Sequence, residues 1–521
     1  VDLIPYEAVK AEMARRRLSE FVRQAWPIIE PSTPLVWNWH LDVICDHVQA
    51  LVEGRLVRDG RVMRNLIINV PPGSMKSTIL SVCLPPWIWL QNPGEGHDLG
   101  PAWRGVFASG NGEVAIRDSI KCRDILDSAW YRRAFAPKWS FTRDQNAKGH
   151  YKNSNTGFRR AISAGSKITG SRSHAIIVDD PNDAAEAYSK PARDAIINWW
   201  DNAAANRLAN MSTGVRCIIQ QRLHEEDLTG HILATDPEEW EVLIIREEYE
   251  HPKPTDPDCR PTSLGWTDPR TVEGELFFPA RFPLKVLESE KRRLGSAGYA
   301  GQHQQRPTPA AGLIFLKGFV RTFVLAETQR KMAERDNKGQ PVWKYKRIIL
   351  SGDTAFKEKE ENDFSVVLAV GERAEGYDLL DRWKDKAGYP ELKLRVKALN
   401  AQWRPQAFLI EDKASGQSLL QELRLESSIP IVPIKVDTDK VSRAHAVVPT
   451  WEAGNVFVDP SLPWVADFLD NMYGFPKMAH DDDVDAFTQA LNYLHHGFEG
   501  QGVVDYYTQL AAKMVAEGKT G

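Results

Sequence analysis

The chain has 521 residues, 42% of them hydrophobic and 26% charged, with a formal net charge of −4. This is the balance of an ordinary soluble globular protein with two or three domains. It excludes a uniformly basic nucleic-acid coat, so basic patches would have to be local, or the grip weak and repeated.

Five cysteines (Cys45, Cys83, Cys122, Cys217 and Cys259) are scattered with no CxxC pair, which predicts reduced thiols and no disulfide frame or zinc site. The longest apolar run, Ile79 to Leu90, is broken by Pro85 and Pro86 and is too short to span a bilayer, so no membrane association is expected. Numbering starts at Val1, and no secretory leader pattern is seen after it.

In chain order, residues 6–25 carry helical periodicity and many charges, among them Arg15, Arg16 and Arg17, and read as a surface helix leading into Trp26-Pro27. Asn65 to Val70 is an apolar strand, and Ser77 to Val82 begins a helix. Gly105 to Ser109 is a second strand, followed by a helix over Val114 to Leu126. Ala175 to Val178 is an apolar strand that ends in Asp179-Asp180, and Val215 to Ile219 is another. Strands alternating with helices predict an α/β domain with a mostly parallel sheet.

From 251 to 285 Pro, Asp and Thr predict irregular structure. Arg306 to Gly312 reads as a linker. The boundaries are an N-terminal domain over 1–305 with a helical lead-in at 1–40, a linker over 306–325, a second domain over 326–498 and a tail over 499–521. In the second domain, strands are predicted at Arg347 to Ser351, Ser365 to Val370, Tyr377 to Asp381, Ala407 to Ile410 and Ile431 to Val436. Helices are predicted at Glu391 to Trp403, Gln417 to Leu425, 440–453, 462–472 and 483–495. Three early strands followed by alternating helices and strands suit a ribonuclease-H-like sheet.

The segment Val70-Pro71-Pro72-Gly73-Ser74-Met75-Lys76-Ser77-Thr78 sits between a strand and a helix. In a phosphate loop, successive backbone N–H groups surround the phosphates, a lysine reaches the terminal ones and a hydroxyl binds Mg²⁺. Lys76 and Ser77 suit those roles for ATP. The usual spacing has glycine at both ends, and this chain has Val70 and Met75 there, with Gly73 between; the plain alternative is a structural turn. Asp179 stands where an acid would hold Mg²⁺ through water, and Asp180 where one would polarise the attacking water, a task more often given to Glu. The alternative is an Asp-Asp-Pro turn.

Arg159 and Arg172 flank the acidic strand and are candidates to face the γ-phosphate of a neighbouring subunit, although solvation is the commoner role of a single arginine. Gln221 ends the next strand, where a polar γ-phosphate sensor would lie. Asp353 and Glu411 each end an apolar strand, and His480-Asp481-Asp482-Asp483-Val484-Asp485 opens a helix. Two-metal cleavage needs carboxylates converging on ions roughly 4 Å apart, and Mg²⁺ prefers hard oxygen ligands, with Mn²⁺ also suited.

Candidate ligands are Asp353, Glu411 or Asp412, and Asp481, Asp482 or Asp485; the alternative for the last group is helix capping. Asp363 is an auxiliary candidate. Lys413, Lys440 and Arg443 are phosphate-contact candidates against a default of solvation. His40 and His174 offer no ligand spacing and read as structural.

In this order the motifs resemble the large terminase subunit of tailed bacteriophages. The resemblance rests on the phosphate loop, Thr169-Gly170-Ser171-Arg172 leading to Ile176-Ile177-Val178-Asp179-Asp180-Pro181, Gln221-Arg222-Leu223-His224-Glu225-Glu226-Asp227-Leu228-Thr229-Gly230, Gln304-Gln305-Arg306-Pro307, Ile410 to Ser418 and His480 to Ala486. It covers about 40–500 of this sequence. Members commonly have Asp-Glu where this chain has Asp179-Asp180.

The resemblance implies an additional-strand, RecA-like ATPase domain joined to a ribonuclease-H-like nuclease. It implies a DNA-packaging motor that acts on double-stranded DNA with ATP and Mg²⁺. It also implies a homo-oligomeric ring, a pentamer, docked on the procapsid portal, delivery by a small terminase subunit, and residence in the host cytoplasm and transiently on the procapsid, not in the mature virion. The rival expectations are a cellular repair or restriction ATPase–nuclease and a non-enzymatic nucleotide-dependent scaffold.

Overall fold

The computed structural model describes residues 5–94, 97–168, 172–307, 314–333, 345–353, 364–386, 389–411, 429–435, 438–477 and 481–496. The chain divides into two units, Val1–Ala310 and Ala311–Gly521. The helix expected over Gln417 to Leu425 and the tail over 499–521 lie outside the described residues.

The first unit begins with two helices, Tyr6–Arg16 and Leu18–Ile29. The single expected surface helix breaks at Arg17, whose backbone is extended (φ −127°, ψ 124°). The second helix is not a surface helix: Leu18, Phe21, Val22 and Ala25 are fully buried. Helix Trp39–Glu53 comes next and ends on Gly54 in the left-handed conformation (φ 69°), the usual helix stop.

Strands β1 (Val57–Arg58) and β2 (Arg61–Val62) form a small antiparallel pair. The main sheet has eight strands: β3 (Asn65–Asn69), β4 (Arg104–Ser109), β5 (Phe141–Ala147), β6 (His150–Asn153), β7 (Phe158–Ser163), β8 (Ala175–Asp179), β9 (Val215–Gln220) and β10 (Glu241–Ile244). Their order is β10-β3-β9-β8-β4-β7-β6-β5. From β10 to β7 neighbours run parallel, while β6 and β5 turn back antiparallel. The buried parallel strands are continuous apolar runs, as burial on both faces requires. Each fully buried aliphatic side chain, such as Leu66, Ile68, Ile177 or Ile219, contributes about 1.5–3 kcal/mol.

One position in this order decides the site. Strand β9 lies between β3, which feeds the phosphate loop, and β8, which ends in the acidic pair. This is the additional-strand arrangement. All three strands deliver their C-terminal ends to one sheet edge, with Asn69 opposite Gln220 and Asp179 opposite Ile219.

In the second unit a seven-stranded sheet has the order β11-β17-β14-β13-β12-β15-β16. Its strands are β11 (Arg321–Thr322), β12 (Arg347–Asp353), β13 (Ser365–Arg373), β14 (Gly376–Asp385), β15 (Ala407–Glu411), β16 (Ile431–Ile434) and β17 (Val456–Val458). Strands β12, β13 and β14 form an antiparallel meander, and β15 and β16 add in parallel beside β12. This is a ribonuclease-H-like sheet, so the whole chain is α/β. Helices Lys440–Glu452 and Asp482–His496 pack together, and the latter lies on β12 and β13.

The expected linker over 306–325 is corrected. Ile314 and Phe315 are buried in the second core, and Arg321–Thr322 pairs with Phe457–Val458. Of the described residues in this stretch, those from 314 onward fold with the second unit, while Arg306 and Pro307 belong to the first. Among the described residues no helix is long and apolar enough to cross a membrane.

Candidate active sites

The loop after β3 is shaped by two left-handed residues. Gly73 has φ +76° and Met75 has φ +61°. Such alternation turns successive backbone N–H groups towards one concavity, the geometry that holds an anion. Gly73 is required twice over, since a Cβ there would stand 2.8 Å from Phe282 Cζ. Met75 takes the left-handed conformation without glycine's freedom, at a cost of about 1–2 kcal/mol, and packs partly against the first core. After Ser77 the chain enters a π-helical stretch, Thr78–Cys83.

Lys76 is buried, and its Nζ lies 2.9 Å from Asp180 Oδ1. The Asp180 carboxylate is also fixed by Gln221, whose N–H donates to Oδ1 at 3.0 Å, and the Asp180 N–H donates to Ile219 O at 2.9 Å. Asp180 is itself left-handed, at φ 42°. Behind it, Asp179 is buried and accepts from Ser81 Oγ at 3.2 Å. Burial and the neighbouring Asp180 push the Asp179 carboxyl up to about 7, against the pull of Lys76 and a hydrogen bond from Ser77.

A buried carboxylate so raised suits a divalent ion. The Oδ1 of Asp179, which has no hydrogen-bond partner among the described residues, suits it too. Ser77 and Asp179 therefore fit a Mg²⁺ ion accompanying a nucleotide.

These groups open on a cleft of about 700 Å³. Its charged floor is the loop from Pro72 to Thr78, less the buried Ser74, with Asp180 and Gln221. Its other wall comes from the N-terminal lead-in, where Trp26, Pro34 and Val36 supply apolar surface. A charged floor and an apolar wall in that volume suit a ligand with an anionic and an aromatic end. Sequence reasoning misses this wall, because nothing local in Trp26 to Val36 marks a contact with a loop so distant in sequence.

The arginine expectation is corrected for Arg159. It is wholly buried, donating from Nη2 to Ser81 O at 2.9 Å and lying 4.5 Å over the Phe107 ring. It supports the segment behind Asp179 and is not presented to any neighbour. Arg172 is exposed and precedes β8, so it lies at the opposite end of the parallel strands from its own cleft. Among the described residues, the arginines that line the cleft are Arg117 and Arg281.

His40 is buried against Phe277 and Phe278, with centroids 4.9 and 5.2 Å away, and burial lowers it to about 4. His174 accepts from the Arg104 N–H at 2.9 Å. Both have structural partners.

In the second unit, parallel pairing of β12 and β15 sets Gly352 opposite Ile410, so Asp353 and Glu411 emerge side by side at one edge. Helix Asp482–His496 brings a third acid to them. Gln489, buried, donates from Nε2 to Ser351 Oγ at 3.0 Å and faces Gly352 O and Leu409 O at 3.3 Å. One helical turn earlier on the same face is Asp485.

Burial, then Asp485, Glu411 and Asp482 in that order, push the Asp353 carboxyl up to about 8. Arg443 joins the other acids, at 3.1 Å to Glu411 Oε1 and 2.6 Å to Asp485 Oδ1. Lys440 lies 2.7 Å from Asp481 and 2.6 Å from Asp485. Burial would lower the Lys440 ammonium, but its hydrogen bonds to Asp481 and Asp485 raise it overall.

Asp483 is corrected out of the acidic cluster. It is buried in ion pairs with Arg382 at 2.7 Å and Lys384 at 2.8 Å and accepts from Asn471 at 2.7 Å. Helical geometry turns it away from the face shared by Asp482 and Asp485. Among the described residues no three His, Cys, Asp or Glu side chains form a ready cation cage. Lys440 and Arg443 stand between the acids instead. The donors are all carboxylate oxygens, and Asp353 makes no ion pair among the described residues, so the set fits a hard divalent ion once those bases give way. Thr169, Gly170, Ser171, Asp363, Asp412, Lys413 and His480 lie outside the described residues.

Residues 350–494 match the family model of the terminase RNaseH-like domain. No curated protein matches the chain. Among solved structures, the large terminase of a thermophilic bacteriophage aligns at TM-score 0.50 with 10% identity, over 86% of this chain and 98% of that one. The same phage protein in complex with ADP aligns at 0.48 with 11% identity, over 92% and 99%. The large terminase nuclease of the thermophilic phage G20c with bound magnesium aligns at 0.26 with 18% identity, over 35% and 98%.

Proposed function

We propose, starting from a chain whose residues 350–494 match the terminase RNaseH-like domain and whose fold is that of a large terminase, that this protein is a viral DNA-packaging motor. It hydrolyses ATP to move double-stranded DNA into a procapsid and cuts concatemeric DNA with divalent metal. The observation that carries this reading is the Lys76–Asp180 contact at 2.9 Å at the mouth of a nucleotide-sized cleft, on the same chain as the edge where Asp353 and Glu411 emerge together.

In the first unit, Lys76 leaves Asp180 for the terminal phosphates when ATP enters, which frees Asp180 to orient the attacking water. Ser77 and Asp179 hold the Mg²⁺ that accompanies the nucleotide. Gln221, tied to Asp180 by its backbone, registers loss of the γ-phosphate. In the second unit, Asp353, Glu411, Asp482 and Asp485, with Asp481 at the rim, hold Mg²⁺ or Mn²⁺. An ion held by these carboxylates would supply an activated water and offset charge on the scissile phosphate. Lys440 and Arg443, displaced from the carboxylates, turn to the DNA backbone. A homo-oligomeric ring on the portal, with a small terminase subunit presenting the DNA, is the working assembly, and Arg172 is the remaining candidate to act on a neighbour's nucleotide.

Two variants test the reading. Lys76→Ala is expected to abolish phosphate release while leaving Mn²⁺-dependent nicking of plasmid intact. Asp353→Ala is expected to do the reverse, lowering nicking by about a hundredfold or more with ATPase unchanged. Loss of both activities in either variant, or unchanged nicking in Asp353→Ala, refutes the assignment. Movement on duplex without strand displacement separates a packaging motor from a repair helicase.

A further inference from the structure

We infer that Arg281 reads the terminal phosphate of the nucleotide bound in its own subunit, an inference that rests on the ATP-hydrolysis reading above. Among the described residues three cations line the cleft, namely Lys76, Arg117 and Arg281. Two are already balanced: Lys76 by Asp180 at 2.9 Å, and Arg117 by Asp118 at 2.8 Å. Arg281 makes no ion pair among the described residues; its guanidinium lies 5.7 Å from the Phe282 ring centroid. Among the described residues it is the cleft cation without a carboxylate partner, and so open to neutralisation by a ligand.

Its position is specific. The Arg281 Nε lies 3.5 Å from the point that a Cβ on Gly73 would occupy. The arginine therefore stands beside the left-handed glycine of the phosphate loop, while the ring of its neighbour Phe282, 2.8 Å from the same point, takes the space a side chain on Gly73 would need.

Its base is held firmly. The N–H groups of Arg281 and Phe282 donate to Phe278 O at 3.0 and 2.8 Å. Asn38 Nδ2 donates to Phe277 O at 2.7 Å, and Phe277 stacks on Phe282 with centroids 6.2 Å apart. A short closed turn thus fixes the backbone while the guanidinium remains exposed. A planar fork so placed suits phosphate oxygens.

In hydrolysis, water adds to the γ-phosphorus as the bond to the β–γ bridging oxygen breaks, giving ADP and inorganic phosphate. The water proton leaves by way of Asp180 to solvent. Arg281 exchanges no proton; it offsets charge on the γ-oxygens. Arg159, being buried, has no access to this position.

The test uses the full-length chain. Phosphate release is measured with Mg²⁺-ATP, and equilibrium binding with ATPγS and with ADP. Arg281→Ala is expected to lower kcat by about a hundredfold or more and to weaken ATPγS at least roughly tenfold, leaving ADP within about twofold. Arg281→Lys should recover part of the ATPγS affinity. An unchanged melting temperature is expected, since the side chain is exposed. Mixing Arg281→Ala with Lys76→Ala chains should restore no hydrolysis, because each chain would lack one part of its own site.

Wild-type hydrolysis by Arg281→Ala overturns the inference and leaves the ATPase reading standing. So does equal loss of ATPγS and ADP affinity. Restoration of hydrolysis in the mixture would place the arginine on the neighbour's nucleotide and overturn it too. Should the wild-type chain release no phosphate with DNA present, the ATPase reading fails, and the ATPγS-to-ADP affinity ratio still decides Arg281.

Discussion

His40 shows how much a single buried ring can impose. It is fully buried, and its Nδ1 lies 2.9 Å from Asn38 Nδ2. Burial lowers it from 6.5 to about 4, and the positive charges of Arg281 and Arg270 act in the same direction. A histidine depressed in the fold contributes stability that is fully present above 6.5 and is lost as pH falls through about 4. The first unit should therefore lose up to about 3 kcal/mol between those limits from this residue. His40→Asn should flatten that slope, as measured by urea unfolding at several pH values; an unchanged slope counts against the assignment.

The same scale shows what the sequence reveals. Asp353 and Glu411 are legible because an acid that ends an apolar strand has few places to go. Lys76 is legible despite Met75, because strand, loop and helix surround it. Arg281 is not legible: it sits in a stretch rich in proline and aspartate, and only the fold sets it beside Gly73, far away in the chain.

At the scale of elements, the helix Asp482–His496 is positioned by Gln489. One amide group faces Ser351 Oγ, Gly352 O and Leu409 O, and so ties the helix to both strands that deliver the other acids. Gln489→Leu should destabilise the second unit by about 1–3 kcal/mol, because buried acceptors lose their donor. Its Mn²⁺ requirement for nicking should rise while ATP hydrolysis is unaffected; an unchanged Mn²⁺ titration would remove Gln489 from the support of the site.

Elements divide in legibility by their environment. The buried parallel strands stand out as apolar runs. The hairpin of β5 and β6 does not, since Phe141–Ala147 reads FTRDQNA and most of it faces solvent. Strand β7 is masked in the sequence by the charges of Arg159 and Arg160, although Arg159 points into the core. The prolines of the expected linker mislead, because they say nothing of Ile314 and Phe315 a few residues later.

For the whole molecule, two units with separate cores predict two thermal transitions. ADP or ATPγS should raise one and leave the other in place, and Mn²⁺ without nucleotide should raise the second. Lys76→Ala should cancel the first response only, and Asp353→Ala the second only. Scanning calorimetry reads both; a single transition moved by either ligand contradicts the division. The order of motifs along the chain carries this two-part plan. The cleft wall built from Trp26, Pro34 and Val36 is not in that order, because it depends on how the lead-in folds back across the sheet edge.

The eight-stranded sheet also has two unlike borders. At one, all four residues of β10 are buried. At the other, Arg143, Asp144, Gln145 and Asn146 of β5 stand in water. A strand from another copy zipping onto that fringe would have to strip hydration from a row of charge and amide. Crowded copies are thereby discouraged from joining strand to strand along this border.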